Sequence, residues 1–356
     1  MHGNISGIWC RLLSSTLLKT TYFPSYFALQ FAHQFVTTSQ TVELDNSSKS
    51  KTLQSTSQLL TNLSLERLNV RDYGTDNNQK GQDDPKTDHL TRTSDNTRDP
   101  GVHPVIVHEV NSLSPTVKEV ILKSEHRPPK FSFKAGQWVD VFIPNLETVG
   151  GFSMSSAPAE LIEFSILRLA VKYSTHPPAL WMHNQCKVGD KLHIRVGGDF
   201  FYVGENKHER PVMLIAGGVG INPLCSIVRC IEDGKRKGIV RKCLPVCLLY
   251  STKTEDELIF KDVFDNYAGV DEHFLPLYYV TRKNNTKPSD NLSEMNLHSR
   301  RMAKSDLERA MQFLTQTSEP FSQIDAYVCG PPPMITNITS ELRALKVESI
   351  NFEQWW

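Results

Sequence analysis

The chain has 356 residues, with 39 basic and 39 acidic side chains and a formal net charge of zero. That length suits two domains of ordinary size, and the balanced charge excludes a global electrostatic pull toward nucleic acid or membrane surfaces. Seven cysteines occur without a C-x-x-C pair; no zinc or plant-type iron–sulfur spacing is present, no metal centre is expected, and the odd, scattered count suits a reducing compartment.

Residues 1–42 contain no Asp or Glu, while Arg11, Lys19, several Ser and Thr and many aromatics are present. This is the composition of a mitochondrial transit peptide, with a secretory signal as the alternative because Thr20 to Val36 is uncharged and fairly apolar. Pro24, His33 and the Gln residues make that stretch too polar for a membrane-spanning helix. Residues 43–100 are rich in Ser, Thr, Asn, Asp, Gln and Lys, with Tyr73 their only aromatic. Such a segment buries too little apolar surface to offset its chain entropy and is predicted to be a disordered linker; the spacing of Leu53, Leu60, Leu63 and Leu68 is compatible with a short amphipathic helix, to which no function is assigned.

Residues 101–204 read as a small antiparallel β barrel. The runs Val105–Val110, Val117–Lys123, Gln137–Ile143, Ile162–Leu169 and Lys191–Val196 are β-branched or alternating, and Pro, Gly and Asp separate them. Gly197-Gly198-Asp199-Phe200 closes the barrel, and Glu205 to Arg210 is a charged link to residues 205–356, where strands and helices alternate as in a parallel sheet.

Val212 to Ala216 is a continuous apolar run, as expected of a strand buried on both faces. Gly217, Gly218 and Gly220, with Val219 between them and Ile221 after, remove side chains from the turn so that backbone N–H groups approach an anion. Asn222 is read as the N-cap and Pro223 as the first position of a helix running to Lys237. Strand, phosphate-sized cradle and helix dipole in sequence suit a pyrophosphate. Cys243–Tyr250 is the next strand, Glu257–Tyr267 a helix and Leu275–Thr281 a strand. A polar insertion, Lys283–Arg300, precedes the helix Ala303–Thr315. Lys235, Arg236, Lys237, Arg241 and Lys242 favour the dipole at a helix end, or else form a dock for an acidic electron-transfer partner. Asp325 to Met334 is a second strand with a tight turn, where Pro331 to Pro333 start a helix through Ile335 to Leu345. In an open α/β sheet, ligands sit outside the carboxyl ends of the strands, so both turns end at one edge.

The pair Gly217-Gly218-Val219-Gly220-Ile221-Asn222-Pro223 and Cys329-Gly330-Pro331-Pro332-Pro333-Met334 resembles the nicotinamide-binding half of the ferredoxin–NADP reductase family, and the likeness covers roughly Val102 to Trp356. The resemblance implies a flavin-binding barrel followed by a Rossmann-like NAD(P)-binding domain. It implies hydride transfer from a nicotinamide dinucleotide to FAD, with electrons passed to a separate acceptor such as a redox protein. NAD(H) ranks ahead of NADP(H). Thr281-Arg282 resembles the Ser-Arg of NADP-using relatives and Lys253 is another candidate, but basic residues are common at strand ends.

The family carries an Arg-x-Tyr-Ser/Thr signature, matched here by Gly150-Gly151-Phe152-Ser153: ring and hydroxyl are present, but glycine replaces the arginine. A family Gly-x-x-Ser aligns with His176-Pro177-Pro178-Ala179. Losing a charge-assisted phosphate contact weakens flavin affinity by about 1.5 to 3 kcal/mol; His176 is a candidate phosphate donor, with a plain surface residue in a Pro-rich turn as the alternative. By resemblance, the catalytic candidates are Cys329, beside the nicotinamide, and Ser153, at the reactive edge of the flavin. Phe152 would pack on the flavin ring, Lys172 would run past it, and Glu353 with Trp356 would close over it. The plainer alternatives are a buried apolar Cys329, a solvated Lys172 and C-terminal aromatics that only dock a strand. A second reading stands beside the oxidoreductase: a nicotinamide-binding protein without flavin, acting as a sensor or assembly factor.

Overall fold

Alternation of apolar side chains builds the first sheet. The computed structural model describes residues 88–204, 210–282, 296–315 and 323–354. Strands β1 (His103–Ser114), β2 (Val117–Ser124), β3 (Trp138–Phe142), β4 (Gly150–Ser153), β5 (Ile166–Lys172) and β6 (Lys191–Gly197) pair antiparallel in the order β4-β3-β6-β1-β2-β5. Val107, Leu122, Val139, Leu169 and Ile194 meet in its buried interior. A bridge between Met154 and Leu169, with Ser155 N–H donating to the Arg168 carbonyl at 2.9 Å, joins the edge strands and closes the barrel.

One expected strand is corrected. Ile162–Leu169 was read as a single strand, but Pro158–Phe164 is a helix and the strand starts only at Ile166. Pro158 occupies the first turn, and the Glu160 carboxylate accepts the Ala157 N–H at 3.0 Å. Ser165 then adopts φ 60° and stops the helix.

The linker expected up to Pro100 is corrected as well: residues 88–99 dock on the barrel. Their one helix, α1 (His89–Arg92), is followed in chain order by α2 (Pro158–Phe164) and α3 (Pro177–Asn184). Apolar burial does not hold this strap. Asp140 on β3 is fully buried and receives His89 Nε2 at 2.9 Å, Arg98 Nε at 3.1 Å and Arg195 Nε at 2.8 Å. Asp199 accepts from Asn96 Nδ2 at 3.0 Å and from Thr97 N–H at 3.2 Å. A polar composition therefore ordered itself by pairing with buried charge. The expectations for residues 1–42, for 43–87 including the Leu53–Leu68 helix, for the link 205–209, for most of the 283–300 insertion, and for Trp356 lie outside the described residues.

The second sheet is parallel throughout, in the order β10-β9-β8-β7-β11-β12. Its strands are β7 (Val212–Gly217), β8 (Val246–Thr252), β9 (Phe274–Val280), β10 (Leu297–His298), β11 (Asp325–Gly330) and β12 (Ser349–Gln354). Helices α4 (Ile221–Lys237) and α5 (Lys261–Ala268) cover one face, and α6 (Lys304–Leu314) and α7 (Pro332–Ala344) the other. Along β7, Val212, Leu214 and Ala216 pack toward the first pair while Met213 and Ile215 pack toward the second, which is why the run is apolar without interruption. The chain runs outward from β7 to β10, then returns to place β11 on the other side of β7. The topological switch point therefore lies between β7 and β11, at the turns that end in glycine.

Two local expectations shift. The helix predicted over Glu257–Tyr267 is a 3-10 turn at Glu255–Glu257 followed by α5. Asn222 does not cap α4: the helix starts at Ile221 with Gly220 in the cap position and no side-chain cap bond. Asn222 is used elsewhere. Its Nδ2 donates to the Ala170 carbonyl on β5 at 2.7 Å, Ser226 Oγ donates to Ser156 O at 2.6 Å, and Arg229 Nη1 lies 3.3 Å from Glu160. These residues, spaced four and then three apart, form one stripe of α4, and that stripe fastens the sheet domain to the barrel. At the basic end of the helix, Lys235 pairs with Asp271 at 2.5 Å and the exposed Lys237 with Glu163 at 2.9 Å.

Candidate functional site

Between the barrel and the carboxyl edge of the parallel sheet lies a cleft of about 1110 Å³. Binding cavities usually measure roughly 300 to 1,000 Å³, so this one has room for a ligand larger than a drug-sized molecule. The sheet wall consists of the two turns. Glycines interlock them: a Cβ on Gly220 would collide with the carbonyl of Cys329, and one on Gly217 would lie 2.7 Å from the sulfur of Met334. Gly218 has φ 56°, in the left-handed region that glycine adopts without strain. Gly217 and Gly220 are therefore required by the packing of turn on turn, and both line the cleft with Gly218 and Val219.

Of the sequence candidates, Gly217, Gly218, Val219, Gly220, Asn222, Cys329, Pro331, Phe152, Ser153 and Lys172 line this one space. Ile221 and Pro223 are buried within α4, and Gly330 lies under the turn. Arg282 is exposed and lies outside the lining of the cleft, whereas Lys253, Thr281 and Arg301 line it. Lys172 is not a solvated strand end: its Nζ donates to Glu257 Oε1 at 3.1 Å, bridging β5 to the sheet domain at the cleft wall.

The electrostatics of the deep end are set by burial. Cys329 is 2% exposed, and burial together with the neighbouring Glu353 pushes its thiol well up, so it is a protonated, small apolar wall and not a thiolate nucleophile. Glu353 lies opposite Cys329 in the β11–β12 register. Burial pushes its carboxyl up to about 8 against the opposing effect of a hydrogen bond from Trp138, so it carries a proton at neutral pH. Two buried oxygens at this end have no partner within the protein, Asn222 Oδ1, which is an acceptor, and Glu353 Oε2, part of the protonated carboxyl. An orphaned amide oxygen that lines a cavity asks for a ligand donor, and an orphaned protonated carboxyl can give its O–H to a ligand acceptor.

On the barrel wall, Phe152 and Ser153 face the cleft with His89, Arg92, Thr93, Trp138, His176 and Ala179. The missing arginine has a steric reason: a Cβ on Gly150 would collide with the Phe152 ring and approach Pro178 to 2.7 Å. His89 occupies the corresponding space over Gly151 and meets Trp138 edge-on at 5.0 Å. Sequence reading missed His89, Arg92 and Trp138. Nothing in a polar linker marks two of its residues as part of a wall formed by strands far along the chain.

A six-stranded antiparallel barrel joined to a parallel sheet, with a glycine turn and a Cys-Gly-Pro turn meeting at the switch point, defines an oxidoreductase fold of the ferredoxin reductase type. The model of the oxidoreductase NAD-binding domain matches residues 214–340. The chain belongs to the oxidoreductase NAD-binding domain-containing protein 1 family. It is 38% identical over 279 residues to the member from Danio rerio, a match covering 76% of this chain and 98% of that protein. Among solved structures it is similar to the flavohem-like FAD/NAD-binding domain of nitric oxide dioxygenase from Vibrio cholerae, with TM-score 0.55 and 22% identity, covering 71% of this chain and 98% of that one. It is also similar to a ferredoxin NADP+ reductase from Neisseria gonorrhoeae with bound FAD and NADP, with TM-score 0.56 and 18% identity, covering 72% of this chain and all of that one.

Proposed function

We propose that the protein takes hydride from NAD(P)H onto FAD held in this cleft and passes electrons to a separate acceptor. The observation that carries the reading is the convergence on one space of the two dinucleotide-type turns, Phe152 and Ser153, and two unpartnered buried oxygens, Asn222 Oδ1 and the protonated Glu353 carboxyl, which match the N–H donor and carbonyl acceptor of a carboxamide. The residues fit a carboxamide-bearing ring, which supplies N–H donors, and they fit a flat aromatic ring against Phe152. The flavin, when bound, accepts the hydride and separates it into electrons.

The chain's own residues do the positioning. Gly217 and Gly218 keep side-chain bulk away from the sheet edge, and α4 points its N-terminus at the same space. Cys329 presents a small uncharged surface. Glu353 stays neutral below about 8, so no fixed negative charge faces a ring that gains electrons. The Lys172–Glu257 pair bridges the two domains at the cleft wall.

The test is dye reduction by the purified protein with NADH or NADPH and added FAD. Turnover that requires FAD is expected; none with either nucleotide would overturn the enzyme reading. The flavin-free alternative is favoured by Gly150 and by Pro177 and Pro178, and it predicts nicotinamide binding with no turnover. A mitochondrial address is part of the proposal, supported by the acid-free residues 1–42. Imaging of a tagged full chain is expected to co-localise with mitochondria, and secretion of that chain would contradict it.

A further inference from the structure

We infer that the strap builds a diphosphate subsite for the flavin, with Arg92 and His89 on α1 and His176 at the start of α3 replacing the cation that β4 cannot carry. The inference rests on the flavin reading above. Phosphate groups on this wall need donors, and the two usual sources are closed. Gly150 cannot accept even a Cβ unless Phe152 and Pro178 move. Helix α3 starts Pro177-Pro178, which have no N–H, so its first backbone donor is Ala179.

The strap approaches the same wall from the other side. His89, Arg92 and His176 all line the cleft together with Ala179 and Phe152. His89 is not placed by chance: Asp140 holds its Nε2 at 2.9 Å, and the lack of a side chain on Gly151 leaves room for its ring. The three basic groups also crowd one another. Burial lowers the pKa of His176, and His89 and Arg92 lower it further, with Asp88 the one carboxylate opposing them. Arg92 is the fixed cation of this wall and the imidazoles of His89 and His176 lie on it as further polar groups, so a diphosphate would bring two negative charges to Arg92 and acceptor oxygens to the imidazoles. The strap thereby becomes part of the cofactor site.

The experiment compares ligands that share one ring and differ in phosphate: riboflavin with none, FMN with one and FAD with a diphosphate. Affinities are read by fluorescence quenching on the full chain, and melting temperature checks the fold of each variant. Arg92→Gln combined with His176→Ala is expected to weaken FAD by about 10-fold or more and riboflavin by less than about 2-fold. An equal loss for FAD and riboflavin, or no loss for FAD, would overturn the subsite. Inorganic pyrophosphate separates this from failure of the flavin reading. If the wild-type chain binds pyrophosphate, loses it in the double variant, and binds neither flavin, the diphosphate subsite stands and the flavin assignment falls. If pyrophosphate binds wild type and variant alike, or neither, the subsite is wrong.

Discussion

The sheet wall of the cleft is held by backbone packed on backbone, and the barrel wall by buried charge. At the switch point Gly220 sits against the Cys329 carbonyl and Gly217 against Met334, contacts that no pH change can loosen. Across the cleft, one fully buried carboxylate, Asp140, gathers His89, Arg98 and Arg195 and so keeps the strap against the barrel. The first wall is rigid and intolerant of added atoms. The second tolerates substitution at its rim but depends on ionisation, and it can come apart while the rest of the fold persists.

The largest expected effect breaks the ionic wall. Asp140→Ala leaves two guanidinium groups and the His89 ring without their carboxylate, at a cost of about 3 to 5 kcal/mol; urea unfolding would show the loss, and limited proteolysis would cut first within residues 88–99. Burial pushes the Asp140 carboxyl up, but hydrogen bonds from His89, Arg195 and Arg98 leave it below its ordinary value of 3.8. Its contribution is therefore present above that value and lost as pH falls through the lowered one.

Glu353 behaves in the opposite sense. Its folded value of about 8 lies above the ordinary 4.5. The native state thus holds the proton more tightly, and the stabilisation is complete below about 4.5 and lost as pH rises toward 8. The swing is on the order of a few kcal/mol. In Glu353→Gln, the loss of stability over that window should shrink; an unchanged slope would place the titration elsewhere.

The rigid wall is probed by Gly220→Ala. One methyl collides with the Cys329 carbonyl, so the variant should lose about 1 to 3 kcal/mol and bind nicotinamide dinucleotide poorly because the two turns separate. Full stability with lost binding would show instead that Gly220 faces ligand directly. The smallest effect sharpens cofactor choice: Lys253→Ala with Arg301→Ala, both at the cleft, should weaken NADPH by about 10-fold relative to NADH if the two cations meet a 2′-phosphate.

What could be read from the chain follows the same division. Val212 to Gly220 and Asp325 to Pro331 act through local chemistry: apolar runs, glycines and prolines mean the same thing in sequence and in space, and both turns reach the same edge. Asn222 was legible as a site residue but not in its role, because its bond to Ala170 depends on how the domains meet. Glu353 was legible as a cleft candidate, but its raised pKa comes from burial against β11, which no spacing reveals. The strap was the largest miss. His89 and Arg98 sit in polar surroundings that resemble a linker, and their order comes from a carboxylate some fifty and forty residues away.

The measurement that bears most directly on the oxidoreductase reading is the visible absorption spectrum of the full chain supplied with FAD and freed of excess, recorded without oxygen before and after NADH or NADPH. Flavin bands that remain with the protein and bleach on adding the reduced nucleotide are the expected result. A protein that emerges colourless, or whose flavin colour persists through both nucleotides, would contradict hydride transfer in this cleft.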